Sequence, residues 1–367
     1  MKQSIRFEIK SAAAAFQTKG AAKEVMPYGN GHINETYLVR TELGEDYILQ
    51  RLNTTVFPHP EEVMANIRAV TAHISEKLLA RGGDPERETL VLIPTKDGKW
   101  FYKDGLGGFF RMYRFVPDSL TLESATSDEI FGKAGEAFGN FMQALADFPA
   151  ESLFEVIPRF HDTPKRYGDF CRAVEADIAG RVSQVPEEIA FFRENESFYS
   201  VLQEAHAKGD LPLRVTHNDT KLNNILFDKE GKEPICVIDL DTVMPGFSVT
   251  DFGDAIRFGA STAPEDEKDL SLVHFSLSRY RAYVDGFFRG GGSTLPQGET
   301  ELLPEGAIMM TLECGMRFLT DYLQGDTYFK IHRKDHNLDR CRTQIQLAKE
   351  MLAALPKMKE IGKEFQK

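Results

Sequence analysis

The sequence predicts an α+β chain in two parts: an N-terminal part of antiparallel strands with one long helix (residues 1–116), and a larger, mainly helical C-terminal part (residues 117–367). Three observations carry this. β-prone runs separated by glycine turns dominate the N-terminal third, and apolar residues at helical spacing dominate the remaining two thirds. A polar stretch, Val215 to Asn224, succeeded by two short apolar runs and Ile238-Asp239, interrupts the helical pattern. At 367 residues the chain is long enough for two cores.

Taken in order, residues 11–22 read as a short helix and 23–28 as a strand. Tyr28-Gly29-Asn30-Gly31-His32-Ile33-Asn34-Glu35-Thr36 then makes a glycine turn before strands at 37–40 and 47–51. Such a loop between antiparallel strands can cover nucleotide phosphates with backbone N–H groups, so Gly29, Gly31, Asn34 and Thr36 are candidate nucleotide contacts. The plain alternative is a hairpin turn. As a dinucleotide fingerprint the loop fails, because Asn34 stands at the third glycine position and no helix comes after it. Residues 60–79 form a helix with Val63, Ile67, Val70, Ile74 and Leu78 on one stripe. Strands are expected next at 90–93, 99–102 and 109–115. Phe115 and Val116 lead into Val116-Pro117-Asp118-Ser119-Leu120, a hinge whose backbone groups can hydrogen-bond adenine. Helices are expected at 127–147, 164–180, 187–208, 251–259, 265–288, 304–324 and 337–354, with Gly290-Gly291-Gly292-Ser293 as a loop among them.

Composition narrows the partners. Acidic residues outnumber basic ones by 56 to 44, giving a net charge of −12 without a basic cluster, which argues against nucleic acid as a ligand. Cys171, Cys236, Cys314 and Cys341 show no C-x-x-C spacing, so reduced thiols are expected. The run Ala12-Ala13-Ala14-Ala15-Phe16 is too short for a signal peptide or a membrane span, and a cytoplasmic location with no membrane partner is the expectation.

The polar stretch carries the chemistry. Val215-Thr216-His217-Asn218-Asp219-Thr220-Lys221-Leu222-Asn223-Asn224 precedes the runs Ile225-Leu226-Phe227 and Ile235-Cys236-Val237-Ile238, which are separated by a turn centred near Gly231. Pairing those runs antiparallel sets Asn224 and Asp239 opposite each other at the open end of the hairpin, about 5 Å apart, where one Mg²⁺ can bridge them. Asp219 is then placed to accept the proton of an acceptor hydroxyl attacking a γ-phosphorus, and His217 to support the loop. The bland alternative is a set of turn polars and a strand cap. Asp251-Phe252-Gly253 matches a protein-kinase metal motif literally but lies past the hairpin; Asp251 is expected to cap a helix starting near Phe252.

On the His217-to-Asn224 segment and Ile238-Asp239, the chain resembles the aminoglycoside phosphotransferase and choline kinase superfamily over nearly its whole length. Tyr28 to Asn34, Val215 to Asn224 and Val237-Ile238-Asp239-Leu240-Asp241-Thr242-Val243-Met244-Pro245-Gly246 are most similar to the N-acetylhexosamine 1-kinases. The resemblance implies a bilobal, protein-kinase-like fold and transfer of phosphate from ATP, with Mg²⁺, to the anomeric hydroxyl of a GlcNAc or GalNAc type sugar. It implies Asp219 as catalytic base, Asn224 and Asp239 as metal ligands, and His32, Phe258, Arg317 and Tyr328 as sugar contacts beside Asp219. Each of those four also has an ordinary reading as a loop, core or surface residue. One departure stands out: where the family pattern often has a phosphate-binding lysine on the third strand, this chain has Gln50 and then Arg51. Alternation sends them to opposite faces, with Gln50 in register and Arg51 carrying the charge, and the sequence leaves both open. A kinase for a cationic acceptor such as choline or an aminoglycoside, and an inactive kinase-like binding module, are the alternative readings. Oligomeric state is not legible.

Overall fold

The computed structural model describes residues 2–29 and 33–365, with side chains from residue 8 onward. The nucleotide and sugar candidates Gly31 and His32 lie outside the described residues. Two compact units emerge: Met1–Leu120 with Ser152–Pro158 and Leu226–Met244, and Thr121–Glu151 with Arg159–Ile225 and Pro245–Lys367.

The first unit is built on an antiparallel sheet of β1 (Ala22–Pro27), β2 (Glu35–Thr41), β3 (Asp46–Arg51), β4 (Tyr102–Lys103) and β5 (Phe109–Arg114), in the order β1-β2-β3-β5-β4. Strand alternation divides its side chains. Val39, Tyr47, Leu49, Phe110 and Met112 point to one face, where they pack with Ile9, Ala12, Ala13 and Phe16 of and just beyond α1 (Lys2–Ala14). Gln50 and Arg111, register partners across β3 and β5, share the opposite face. The first helix starts well before the 11–22 span expected for it and covers only residues 11–14 of that span. It ends as Gln17 turns its backbone N–H to Pro94 O and its side chain to Thr95 O, and Gly20, at φ +83°, swings the chain into β1. Residues 90–93 form no strand; Leu92 makes only an isolated bridge to Tyr113. The strand expected at 99–102 shrinks to Tyr102–Lys103, because a turn closed by Thr95 N–H to Lys99 O occupies the stretch before it.

α2 (Pro60–Ala80) starts with proline in its first turn and is followed by the single turn α3 (Pro85–Glu88). Asn66 of α2 is buried and explains why two distant segments join this unit. Its amide donates to Phe154 O at 2.8 Å and Val243 O at 2.9 Å, and its carbonyl accepts from Phe154 N at 2.9 Å. β6 (Ser119–Thr121), β8 (Ile225–Asp228) and β9 (Pro234–Val237) form a three-stranded sheet in the order β6-β8-β9, and β7 (Arg214–Thr216) pairs with β10 (Met244–Gly246). The β8–β9 hairpin turns at Gly231, φ +69°, with Asp228 N–H donating to Glu233 O at 2.8 Å.

The second unit is helical: α4 (Asp128–Ala144), α5 (Thr163–Ala176), α6 (Pro186–Glu194), α7 (Val201–Lys208), α8 (Ser248–Gly259), α9 (Leu277–Gly290), α10 (Gln297–Glu301), α11 (Leu303–Leu323) and α12 (His336–Phe365). α4 and α9 meet backbone to backbone through Gly132, Gly135 and Gly139 on one side and Gly286 and Gly290 on the other; a Cβ at Gly286 would lie 1.8 Å from Gly132 O. The helix expected over 187–208 is broken, because the Asn195 amide folds back onto Phe191 O and ends α6. The one expected over 265–288 starts only at Leu277, where the Ser276 hydroxyl caps it. All four cysteines are free thiols, and burial pushes those of Cys236 and Cys314 up to about 12. Among the described residues no helix is long and apolar enough to cross a membrane.

Candidate active site

In the helical unit, β7 delivers the chain into the polar stretch. Asn218 adopts φ +64°, a left-handed turn that asparagine tolerates. The His217 ring is buried edge-on against Phe138 and Phe141 and accepts Asp219 N–H on Nδ1 at 3.3 Å, the supporting role read from the sequence. Asp251 fixes the same turn from another element. α8 begins at Ser248, so Asp251 is not its cap; instead its carboxylate accepts His217 N–H at 2.7 Å and Asn218 N–H at 2.8 Å, while its carbonyl accepts the Thr220 hydroxyl at 2.6 Å. Burial pushes the Asp251 carboxyl up to about 6, against the pull of His217 and these N–H groups.

Asp219 is held at both oxygens. Oδ1 lies 2.7 Å from Lys221 Nζ, and Oδ2 accepts Asn224 Nδ2 at 3.0 Å. The same Asn224 amide nitrogen reaches Asp219 O at 2.8 Å. Both donors of Asn224 are thus turned toward Asp219, so a cation held by Asn224 would be met by its Oδ1, a hard oxygen. Burial opposes the Lys221 charge, but Asp219 and Asp254 outweigh it and hold the ammonium above its ordinary range. Burial likewise opposes the Asp254 carboxylate, and Arg257 followed by Lys221 keeps it ionised below the usual value. Phe258 sits beside the Arg257 guanidinium, 5.8 Å from its ring centre.

The other polar centre belongs to the sheet unit. Arg111, almost wholly buried, pairs through Nη1 with Asp241 Oδ1 and donates Nε and Nη2 to Gln50 Oε1 at 2.9 and 2.7 Å, over the face of Tyr113. Gln50 passes its own N–H to Thr36 Oγ1 at 3.1 Å. Asp241 Oδ2 accepts Asn34 Nδ2 at 2.5 Å, and Asn34 Oδ1 accepts Asn53 N–H at 3.0 Å. Asn34, Thr36 and Gln50 therefore join one hydrogen-bonded chain around a buried cation that stands on the neighbouring strand, directly beside the expected lysine position. Arg51 faces the other way, 3.6 Å from Glu8 of α1 and over the Phe110 ring. Asp239 comes after β9 at φ +59°, two residues before Asp241, and its charge bears on Arg111 and Tyr113. Gly29 takes φ +72°. Phe115 rests edge-on to Tyr28, and the Val116 carbonyl accepts the Ser119 hydroxyl at 2.6 Å.

Arg317 and Tyr328 are brought together, lining a pocket of about 350 Å³ on α5 and α11, whereas Phe258 is not part of its wall. Sequence reasoning missed Arg111, Asp241, Lys221 and Asp251 as site residues. A lone cation within Phe109-Phe110-Arg111-Met112 and a second aspartate after Ile238-Asp239-Leu240 were signals available for two of them.

Residues 24–291, well over half of the chain, match the phosphotransferase enzyme family. A microcompartment-associated aminopropanol kinase superposes with a TM-score of 0.65 at 17% identity, covering 96% of this chain and 98% of its own. The amicoumacin kinase hAmiN, solved with AMP-PNP, Ca²⁺ and Ami, gives 0.59 at 14% identity over 94% and 96%. A choline/ethanolamine kinase family protein from Mesorhizobium loti gives 0.59 at 16% over 99% of both chains. The chain belongs to the phosphotransferase enzyme family and has the protein-kinase-like fold of aminoglycoside phosphotransferases and choline kinases.

Proposed function

We propose that this protein is an ATP- and Mg²⁺-dependent kinase that phosphorylates the anomeric hydroxyl of an N-acetylhexosamine by direct in-line transfer. The observation that carries the reading is the Asp219 carboxylate, gripped by Lys221 and Asn224 on a turn locked by Asp251. A base held at both oxygens is already oriented, so little reorganisation opposes proton transfer.

In this reading the acceptor oxygen forms a bond to the γ-phosphorus as the bond from that phosphorus to the β-γ bridging oxygen breaks; ADP leaves and the hydroxyl proton passes to Asp219. Lys221, kept charged by Asp219 and Asp254, would offset negative charge on the transferring group. By resemblance, Asn224 and Asp239 would hold the Mg²⁺, which when bound would neutralise phosphate charge. The Asn34–Asp241–Arg111–Gln50 chain fixes the strand ends around the nucleotide, with Gly29, Thr36 and the Phe115-Val116 hinge contributing backbone. Arg317 and Tyr328, and by resemblance His32 and Phe258, contact the sugar.

A second reading, a cationic amino-alcohol or aminoglycoside acceptor, draws support from the substrates named for the structural neighbours. The pocket wall argues against it, since its three arginines, Arg166, Arg172 and Arg317, outnumber its two carboxylates, Asp169 and Asp321. Coupled-assay detection of ADP release with GlcNAc, GalNAc, choline, ethanolamine and kanamycin decides the matter. Turnover of N-acetylhexosamines alone supports the proposal, and turnover of choline or kanamycin without them rejects it.

A further inference from the structure

The pocket on α5 and α11 holds more positive charge than its own carboxylates answer. Arg166 reaches into it from α5, with Nη2 on Phe160 O at 3.1 Å and a buried Nε that has no hydrogen-bond partner. Arg317 comes from α11, its guanidinium carbon 5.9 and 5.5 Å from the ring centres of Phe160 and Phe329. Among the described residues neither arginine forms an ion pair with a carboxylate.

The acidic groups nearby are committed elsewhere. Asp169 is bonded by Lys165 at 2.7 Å and by Arg172. Asp321 turns both oxygens to the loop after α11, accepting Thr327, Tyr328 and Phe329 N–H groups at 2.8, 2.8 and 2.9 Å and the Asn337 amide at 2.8 Å. Glu313, buried behind the arginines, is bonded by His161 at 3.0 Å and Thr163 at 2.6 Å. Burial, reinforced by the repulsion of Arg317, holds Arg166 below the ordinary guanidinium range. Two like charges on a partly dry wall, flanked by aromatic faces, form the binding surface for a planar or tetrahedral oxyanion.

We propose that this pocket binds the carboxylate or phosphate-monoester group of a sugar-sized molecule, held by Arg166 and Arg317. The volume of about 350 Å³ suits such a ligand. Taken as the acceptor pocket, this rests on the sugar-kinase reading and narrows it to an acceptor that carries an oxyanion away from its reacting hydroxyl.

Isothermal titration of the full chain at fixed ionic strength tests it, using inorganic phosphate, N-acetylglucosamine 6-phosphate, glucuronate and neutral GlcNAc as probes. The anionic probes are expected to bind at least about tenfold more tightly than GlcNAc; Arg166→Gln is expected to weaken them by about tenfold or more while changing GlcNAc little, and Arg317→Gln, which also removes a sugar contact, to weaken the anions by clearly more than it weakens GlcNAc. The phosphate and carboxylate arms identify which oxyanion is preferred. Thermal midpoints of the free variants are expected to hold or rise, because repulsion is relieved; Arg317→Lys, keeping the charge, serves if Arg317→Gln does not fold. Equal affinity for charged and neutral probes, or variants that affect both alike, overturns the proposal. Tight binding of the anionic sugar without its phosphorylation leaves the pocket standing and rejects the kinase reading, whereas turnover of GlcNAc with no anion preference does the reverse.

Discussion

Arg111→Met is the perturbation most directly worked from the structure. The substitution keeps the aliphatic bulk of a side chain only 1% exposed and removes its charge from beside Asp241, itself 4% exposed. Asp241 would keep only the Asn34 amide, and Gln50 Oε1 would lose both of its donors. Removing one partner of a buried ion pair costs about 3–5 kcal/mol, a large share of the about 5–15 kcal/mol that holds a domain folded. Asp241→Asn strands the guanidinium instead and should cost a similar amount. The double variant leaves neither charge exposed to the dry interior, so its loss should fall at least about 2 kcal/mol short of the sum. The single tryptophan, Trp100, lies in the same unit, stacked under Arg68, so its fluorescence in urea tracks the unfolding of this unit. A loss below about 1 kcal/mol for Arg111→Met, or strict additivity in the cycle, would show that the pair is not the anchor described here.

Four further outcomes are expected from the same structure. Asp251→Asn turns an N–H group toward one of the two backbone donors of His217 and Asn218, and should cost about 1–3 kcal/mol with a fall in kcat, measured by thermal unfolding and steady-state kinetics. Because burial raises the Asp251 carboxyl in the folded state to about 6 from an ordinary 3.8, its contribution is present below about pH 4 and is lost as pH rises through about 6. The change amounts to about 3 kcal/mol, and denaturation across that window should show it in the wild type but not in Asp251→Asn. Asp219→Asn should lower turnover by orders of magnitude with nucleotide affinity nearly unchanged by equilibrium titration, since it removes the base and not the cradle. Gly286→Ala drives a methyl group into Gly132 O and should destabilise the helical unit by about 3 kcal/mol in a circular dichroism melt.

The turn of the polar stretch was legible because its logic is local. His217, Asp219 and Asn224 lie within one turn and its continuation, and the hairpin after them is dictated by two apolar runs about a glycine. Strand positions 37–40 and 47–51 and the helix from Pro60 were legible for the same reason, since alternation and helical periodicity are nearest-neighbour patterns. What failed was decided by distant partners. Residues 11–22 carry a helical composition, but the helix ends at Ala14 and Gln17 beyond it is claimed by Pro94 and Thr95. Asp251 looks like a helix cap in sequence and is instead the acceptor for a turn 33 and 34 residues away.

The amino-acid sequence by itself determined the antiparallel strands at 37–40 and 47–51, the long helix from Pro60, the hairpin after the polar stretch and the family of the chain, because these rest on periodicity and on residue types at short spacing. Only the tertiary structure decided where the buried charge sits. Gln50 and Arg51 were open alternatives until strand register set Gln50 beside Arg111 and turned Arg51 toward α1. A cation in a dry sheet is stable only where a carboxylate meets it, and Asp241 is 130 residues away along the chain.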